Sequence, residues 1–155
     1  MGILTDLTYL HMETFTTVDR IERQLARLKR LSSQPDQGLR VVDQIASEAL
    51  RLRRNLVAFF AREEKELFPR VQRIFGSDVE ELSELREHQR QVLSRLDQFI
   101  VEVTGEEELN GSAPVEHYEE LFDSFVTRYE RRCDMERHFY RTYSTILYPG
   151  GLATE

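Results

Sequence analysis

The sequence predicts an all-α protein, built as an up-down-up-down antiparallel four-helix bundle. Four long stretches carry apolar residues at three- and four-residue spacing, and breaks containing Gly, Pro and Ser separate them. No stretch alternates apolar and polar residues as a strand would, and short breaks favour antiparallel neighbours. With 155 residues, 40 % of them apolar and 32 % charged, the chain has the size and composition of one domain spanning 1–155.

The first predicted helix runs from about Leu4 to Leu31, and the second from about Val41 to Phe75. The first carries its apolar stripe at Leu4, Leu7, His11, Phe15, Val18, Ile21, Leu25 and Leu28. The second carries it at Val42, Ile45, Ala49, Leu52, Leu56, Phe59, Glu63, Leu67, Val71 and Ile74. The expected break between them contains Ser32, Ser33, Pro35 and Gly38. Pro69 is expected to kink the second helix or disturb its hydrogen bonding.

Gly76 predicts a C-terminal cap for the second helix, and Ser77 with Glu80 is typical of the capping box that begins the third. The third helix carries its stripe at Leu82, Leu85, His88, Val92, Leu96, Phe99 and Val103. A polar loop at 105–111 precedes a fourth helix with Pro114 near its first turn. The fourth stripe contains Tyr118, Phe122, Phe125, Tyr129, Arg132, Glu136, Phe139 or Tyr140, Tyr143 and Leu147.

Polar side chains interrupt the four apolar stripes near one level. The interruptions are His11, Glu63, His88, Arg132 and Glu136. Glu63 and His88 lie at similar distances before and after the turn between the second and third helices, so they should meet within about one helical turn. Because an unpaired buried carboxylate costs several kcal/mol, two acids on core stripes require a positive partner. That partner is either a metal ion or Arg132.

The stretch at 59–69, FFAREEKELFP, resembles the second-helix signature of the hemerythrin-like (HHE cation-binding) family, in which His-Phe precedes Glu-Glu-x-x-Leu-Phe-Pro. That family binds iron in a four-helix bundle, through His from the first and third helices and His-x-x-x-Glu from the second and fourth. The resemblance implies four metal ligands: His11, Glu63, His88 and Glu136. The chain departs from the family at Phe59 and Arg132, which stand where the two upstream histidines should be.

Two imidazoles and two carboxylates suit a non-haem iron ion, with Mn or Zn as less favoured occupants. The resemblance implies a site that binds or senses oxygen or nitric oxide, or handles iron, rather than an enzyme with a dedicated substrate. A single ion held by all four groups is easier to build than a dinuclear centre. Phe59 would remove a ligand and make the site drier. Arg132 would repel a cation, neutralise a carboxylate or hold an anionic ligand against the metal.

Two alternatives stay open. In the first, the bundle is metal-free, and the fork-shaped guanidinium of Arg132 pairs with Glu63 or Glu136 and replaces the charge of the ion. The chain would then be a regulatory or protein-interaction module without a cofactor. The second alternative concerns the register of the fourth helix, where Arg131 and Met135 would take the ligand positions. We prefer Arg132 and Glu136 because they continue the apolar stripe of that helix.

Composition limits the partners and the compartment. The balance of 21 basic and 28 acidic residues gives a net charge of −7, which argues against nucleic acid and anionic membranes. The single cysteine, Cys133, and the lack of a membrane-length or secretory segment predict the cytoplasm. A homo-oligomer or protein partner is expected to use the aromatic fourth helix, which carries Phe139, Tyr140, Tyr143 and Tyr148.

Overall fold

The computed structural model describes residues 3–31, 33–76, 79–105 and 115–147, with side chains from residue 7 onward. Its long helices are α1 (Ile3–Arg30), α2 (Pro35–Arg62), α4 (Glu80–Thr104) and α5 (Val115–Thr142). A π-helical turn at Glu63–Leu67 continues α2 directly into α3 (Phe68–Phe75), and a short α6 (Ser144–Leu147) follows α5. The described residues form no strand, and the prediction of an all-α bundle is confirmed.

Neighbouring long helices run in opposite directions, as the order of the contacts between them shows. Arg53 of α2 bonds Asp97 of α4 at 2.6 Å, whereas the later Glu64 bonds the earlier Arg86 at 2.8 Å. The same reversed order holds between α4 and α5, between α1 and α2, and between α1 and α5. Each long helix is therefore antiparallel to the two beside it. No described helix combines the length and apolar character needed to cross a bilayer.

The hydrophobic core lies where the inward stripes of the helices meet. Its fully buried members include Ile21, Ile45, Ala49, Leu52, Leu82, Val92, Leu96, Phe99, Phe122 and Phe125. Every one of these positions belongs to a stripe that the three- and four-residue spacing predicted. The sequence pattern therefore determined which face of each helix is buried.

Two predicted stripe positions are wrong. Phe15 is 43 % exposed, and its ring lies beside that of Tyr129, with ring centroids 5.2 Å apart and ring planes 53° apart. Thr14 and Thr17 take the buried positions on α1, because their hydroxyls donate to backbone carbonyls one turn earlier at 2.9 and 3.0 Å. Ile74 is 63 % exposed because it lies in the last turn of α3, beyond the end of the core.

The connection between α1 and α2 is shorter than predicted. α2 begins at Pro35. A proline costs little in the first turn of a helix, because an N–H there would have no partner within the helix. Gly38 is therefore a buried helix residue rather than part of the break, and a Cβ added there would lie 3.6 Å from Leu28 of α1. The predicted capping box at Ser77 and the helix opening at Pro114 lie outside the described residues.

Helical hydrogen bonding is irregular just before Pro69, as predicted. The N–H of Phe68 donates to the carbonyl of Glu63, five residues back, which defines the π turn. α3 then ends at Gly76, whose φ is +87° and whose N–H donates to the carbonyl of Gln72 at 2.8 Å. The prediction of a glycine C-terminal cap is confirmed.

Gly76 and Gly38 should respond to alanine in opposite directions. Gly76 has φ +87° and ψ 177°, a conformation that side chains other than glycine adopt only with strain. We expect Gly76→Ala to lower the free energy of unfolding by about 1–3 kcal/mol. Gly38→Ala should raise it by about 0.5–1 kcal/mol, because the new methyl finds only ordinary contact inside a helix. Urea unfolding followed by circular dichroism measures both, and losses of equal size would contradict this assignment.

Candidate functional site

A buried arginine lies at the centre of the polar level. Arg132 of α5 is 1 % exposed, and its guanidinium donates to Glu63 Oε1 at 2.8 Å and to Glu136 Oε2 at 2.7 Å. Its Nε donates to the carbonyl of Leu85 at 3.0 Å, and its Cζ lies 5.0 Å from the ring centroid of Phe60. The guanidinium therefore joins α2, the π turn, α4 and α5 in one charge-assisted cluster.

The second oxygen of each carboxyl is bonded as well. The hydroxyl of Tyr140 donates to Glu63 Oε2 at 2.6 Å, and His11 Nε2 lies 2.7 Å from Glu136 Oε1. Because a carboxylate only accepts, Nε2 of His11 carries the proton of this bond. Nδ1 of the same ring lies 2.6 Å from the hydroxyl of Tyr129. The hydrogen bonds thus form one unbroken chain from Tyr140 to Tyr129.

The two carboxyls differ in pKa. Burial and the neighbouring carboxyl of Glu136 raise the pKa of Glu63 to about 8, against the lowering effect of Arg132. Burial acts to raise the pKa of Glu136 too, but the hydrogen bond from His11 and the charge of Arg132 hold it below its ordinary value. Near neutral pH the pair therefore carries about one proton. That proton and the single guanidinium together neutralise both acids.

Three of the four predicted metal ligands converge in this cluster: His11, Glu63 and Glu136. His88 is placed differently, since no hydrogen bond or ion pair among the described residues joins it to the other three. Its Nδ1 is buried without a hydrogen-bond partner, and burial together with the charge of nearby arginines lowers its pKa. His88 is therefore a neutral side chain beside the cluster and makes no bond within it.

Phe59 occupies the position four residues before Glu63, where the resemblance expects a histidine. It is 1 % exposed, and its ring centroid lies 4.3 Å from that of His11. An apolar ring thus fills the space beside the imidazole of the first helix. This position therefore holds an apolar ring where the resemblance expects a nitrogen ligand.

In α5, Arg132 and Glu136 face the core, which is the register that the apolar stripe favours over Arg131 and Met135. Arg132 and Glu136 are 1 % and 3 % exposed, whereas Arg131 is exposed and Met135 is half-buried. The reason is the continuous inward stripe of α5, which places both charged side chains in line with its buried aromatic residues. The alternative register would have turned these two charges toward solvent.

Tyr140 has a role that the sequence pattern does not predict. The pattern places either Phe139 or Tyr140 on the inward stripe, but both contribute: Phe139 is fully buried, and Tyr140 is half-buried with its hydroxyl on Glu63. A signal was available, because Tyr140 lies four residues after Glu136 and hence on the same face of the helix. Tyr143 packs against Phe139, and Tyr148 lies outside the described residues.

Cys133 lies near the cluster without taking part in nucleophilic chemistry. Its Sγ is 3.9 Å from His11 Nδ1, and His11 in turn bonds Glu136, an order that superficially matches a cysteine–histidine–acid triad. However, Tyr129 already bonds that nitrogen at 2.6 Å. Burial and the charge of Glu136 raise the pKa of the thiol to about 12, so it stays protonated and inert.

In the comparison with protein families, residues 17–142 match the model described as the hemerythrin HHE cation binding domain. The matched span is more than half of the chain, includes Glu63, His88, Arg132 and Glu136, and begins after His11. Comparison with curated proteins and comparison with solved structures each give no match.

A cation-binding domain suggests a metal cofactor, but the residues present do not fit one. All four carboxyl oxygens of Glu63 and Glu136 and both nitrogens of His11 already have hydrogen-bond partners within 2.8 Å. A divalent ion between the two acids would have to displace Arg132, leaving its charge buried and unpaired. The described residues also contain no group of three or more His, Cys, Asp or Glu side chains arranged to hold a metal ion.

The hydroxyl of Tyr140 should contribute measurably to stability. Tyr140→Phe removes the 2.6 Å bond to Glu63 and leaves that carboxyl oxygen buried without a donor. We expect the free energy of unfolding to fall by about 1–3 kcal/mol, measured by urea denaturation. Tyr143→Phe is the matched control, because its 3.2 Å bond to Glu81 is longer and lies nearer the surface. Equal losses in the two variants would contradict a special role for Tyr140.

The raised pKa of Glu63 predicts a pH dependence of stability. The folded protein holds this proton more tightly than the unfolded chain, whose pKa is near 4.5. The stabilisation is therefore complete below that value and is lost as pH rises toward about 8. The lowered pKa of Glu136 has the opposite effect on stability, because the stabilisation that it gives is lost as pH falls below the ordinary pKa of a glutamate. Urea midpoints between about pH 5 and 8 should fall in the native protein and stay flatter in Glu63→Gln. The exposed neighbour Glu64→Gln should keep the native slope, and a native slope in Glu63→Gln would refute the assignment.

Proposed function

Because the chain belongs to the hemerythrin HHE cation-binding family and yet carries an arginine between its two core carboxyls, we propose that it is a metal-independent member of that family. It serves as a regulatory or protein-interaction module. The observation that supports this most directly is the bridge from one guanidinium to Glu63 and Glu136. Arg132 supplies from within the chain the positive charge that a bound cation would otherwise supply.

The chemistry of the cluster favours a structural role over catalysis. A reacting group needs a free lone pair or a labile proton within reach of a substrate. Here the carboxyls, the imidazole and the guanidinium bond one another, and the only thiol has a raised pKa. Aromatic rings from Phe59 and Phe60 close the cluster on the α2 side. Its function in this proposal is to hold the helices together around a charge.

A second candidate function is a non-haem iron site, or a site for another divalent ion, that binds or senses oxygen or nitric oxide or handles iron. Its support is the convergence of His11, Glu63 and Glu136 at one level of the bundle. It requires Arg132 to leave both carboxyls and find another buried partner. The two candidates therefore differ in metal content and in what Arg132 contributes to stability.

Metal content and the Arg132→Ala variant together distinguish the two candidates. Protein produced in iron-supplemented medium should contain iron, manganese and zinc at stoichiometries near zero by elemental analysis. Arg132→Ala should lower the free energy of unfolding by about 3–5 kcal/mol, because the buried carboxyl pair loses its counter-charge. Arg131→Ala, on the exposed neighbouring position, should change it by no more than about 0.5 kcal/mol.

A positive control makes a negative metal result meaningful. The double variant Phe59→His, Arg132→His restores the two histidines that the family places four residues before each acid, next to the His11 ring. It should take up metal under the conditions in which the native protein does not. One or two metal ions per native chain, or an Arg132→Ala variant of native stability that gains metal affinity, would favour the iron site instead.

A further inference from the structure

The outer side of α2 carries a line of apolar side chains. Leu39, Leu50 and Val57 are 44 %, 43 % and 40 % exposed. At about 100° per residue they lie within about 20° of one another around the helix, and the half-buried Ala46 falls on the same line. Together the four residues extend about 27 Å along the helix. Single exposed apolar residues are ordinary on protein surfaces, but a straight line of this length is typical of a helix-packing seam.

This line is complementary to itself when it is reversed. Turned end for end about its midpoint, it brings Leu39 opposite Val57 and Ala46 opposite Leu50. A small side chain then faces a large one, as interdigitating helices require. Such a match between one surface and its own reversed copy is the condition for a two-fold contact between identical chains.

The charged residues of the line follow the same reversal. Asp43 falls opposite Arg53, with Arg54 next to it. Arg53 is already held by Asp97 of α4 at 2.6 Å. Asp43 and Arg54 are exposed, and neither forms an ion pair within the part of the chain that the structure describes. In a two-fold contact, Asp43 of each copy meets Arg54 of the other, so the dimer contains two Asp43–Arg54 ion pairs.

We propose that the chain forms an antiparallel homodimer through this α2 face, defined by Leu39, Asp43, Ala46, Leu50, Arg54 and Val57. A second copy is the occupant that satisfies every feature at once. An acidic helix would pair Arg54 but leave Asp43 facing a like charge, and a basic helix would do the reverse. The proposal is independent of the Arg132 cluster, so the metal and stability results for that cluster do not bear on it.

Solution mass tests the apolar part of the proposal. Sedimentation equilibrium of the native protein, up to about 100 µM, should show a monomer–dimer equilibrium. Leu50→Glu should raise the dimer dissociation constant at least ~100-fold, because the charge is introduced twice in one two-fold interface. Met12→Glu is the matched control, since Met12 is an exposed apolar residue of α1, 64 % exposed, away from the α2 face. A native protein that is monomeric throughout, or a Leu50→Glu variant that dimerises as the native protein does, overturns the proposal.

A charge exchange tests the antiparallel register. Asp43→Arg alone and Arg54→Asp alone should each be monomeric, because each places like charges opposite one another twice. Mixed in equal amounts, the two variants should form a heterodimer, since every facing pair is then of opposite sign. Circular dichroism establishes that both variants are folded. Single variants that still dimerise, or a mixture that remains monomeric, would exclude this register.

Discussion

The polar level of the bundle depends on one guanidinium held between two carboxyls that are 73 positions apart in the sequence, at Glu63 and Glu136. Removing charged groups from water costs free energy that their mutual attraction only partly offsets, so the cluster is not a source of large net stability. What it does is restrict how the helices can pack. Arg132 can satisfy both acids and the carbonyl of Leu85 only when α5, α4 and the π turn stand at one relative height. The cluster therefore specifies register, whereas the apolar stripes supply the driving force.

A charge carried by a side chain differs from one carried by a bound ion. The guanidinium is always present and always protonated. Its planar fork can donate two parallel hydrogen bonds to a carboxylate, which a spherical cation cannot do. Phe59 places an apolar ring beside His11, where the resemblance expects a nitrogen ligand. In the proposed metal-independent bundle the two side chains act together, because the ring lies against the imidazole and the guanidinium bonds both acids.

Much of this arrangement could be predicted from the sequence, because a buried carboxylate on an apolar stripe requires a positive partner and Arg132 lies one helical turn from Glu136. The bonding of His88 could not be predicted in the same way. Spacing from the turn gives the height of a residue but not the partners of its side chain, and Nδ1 of His88 is buried without a hydrogen bond. Phe15 was misplaced for a related reason: apolar spacing does not show that Thr14 can satisfy its hydroxyl within the helix and so be buried.

The π turn has a consequence for how this chain tolerates changes in length. In a regular α-helix, two residues five apart point about 140° away from each other, and only one of Glu63 and Phe68 could face the core. Both are fully buried here, because the π turn contains one residue more than a turn of α-helix and so brings residues five apart onto the same face. Loss of one residue from this segment would convert it to ordinary α-helix while keeping both side chains inward. The segment is therefore a natural point for single-residue deletions, with the faces of α2 and α3 unchanged on either side.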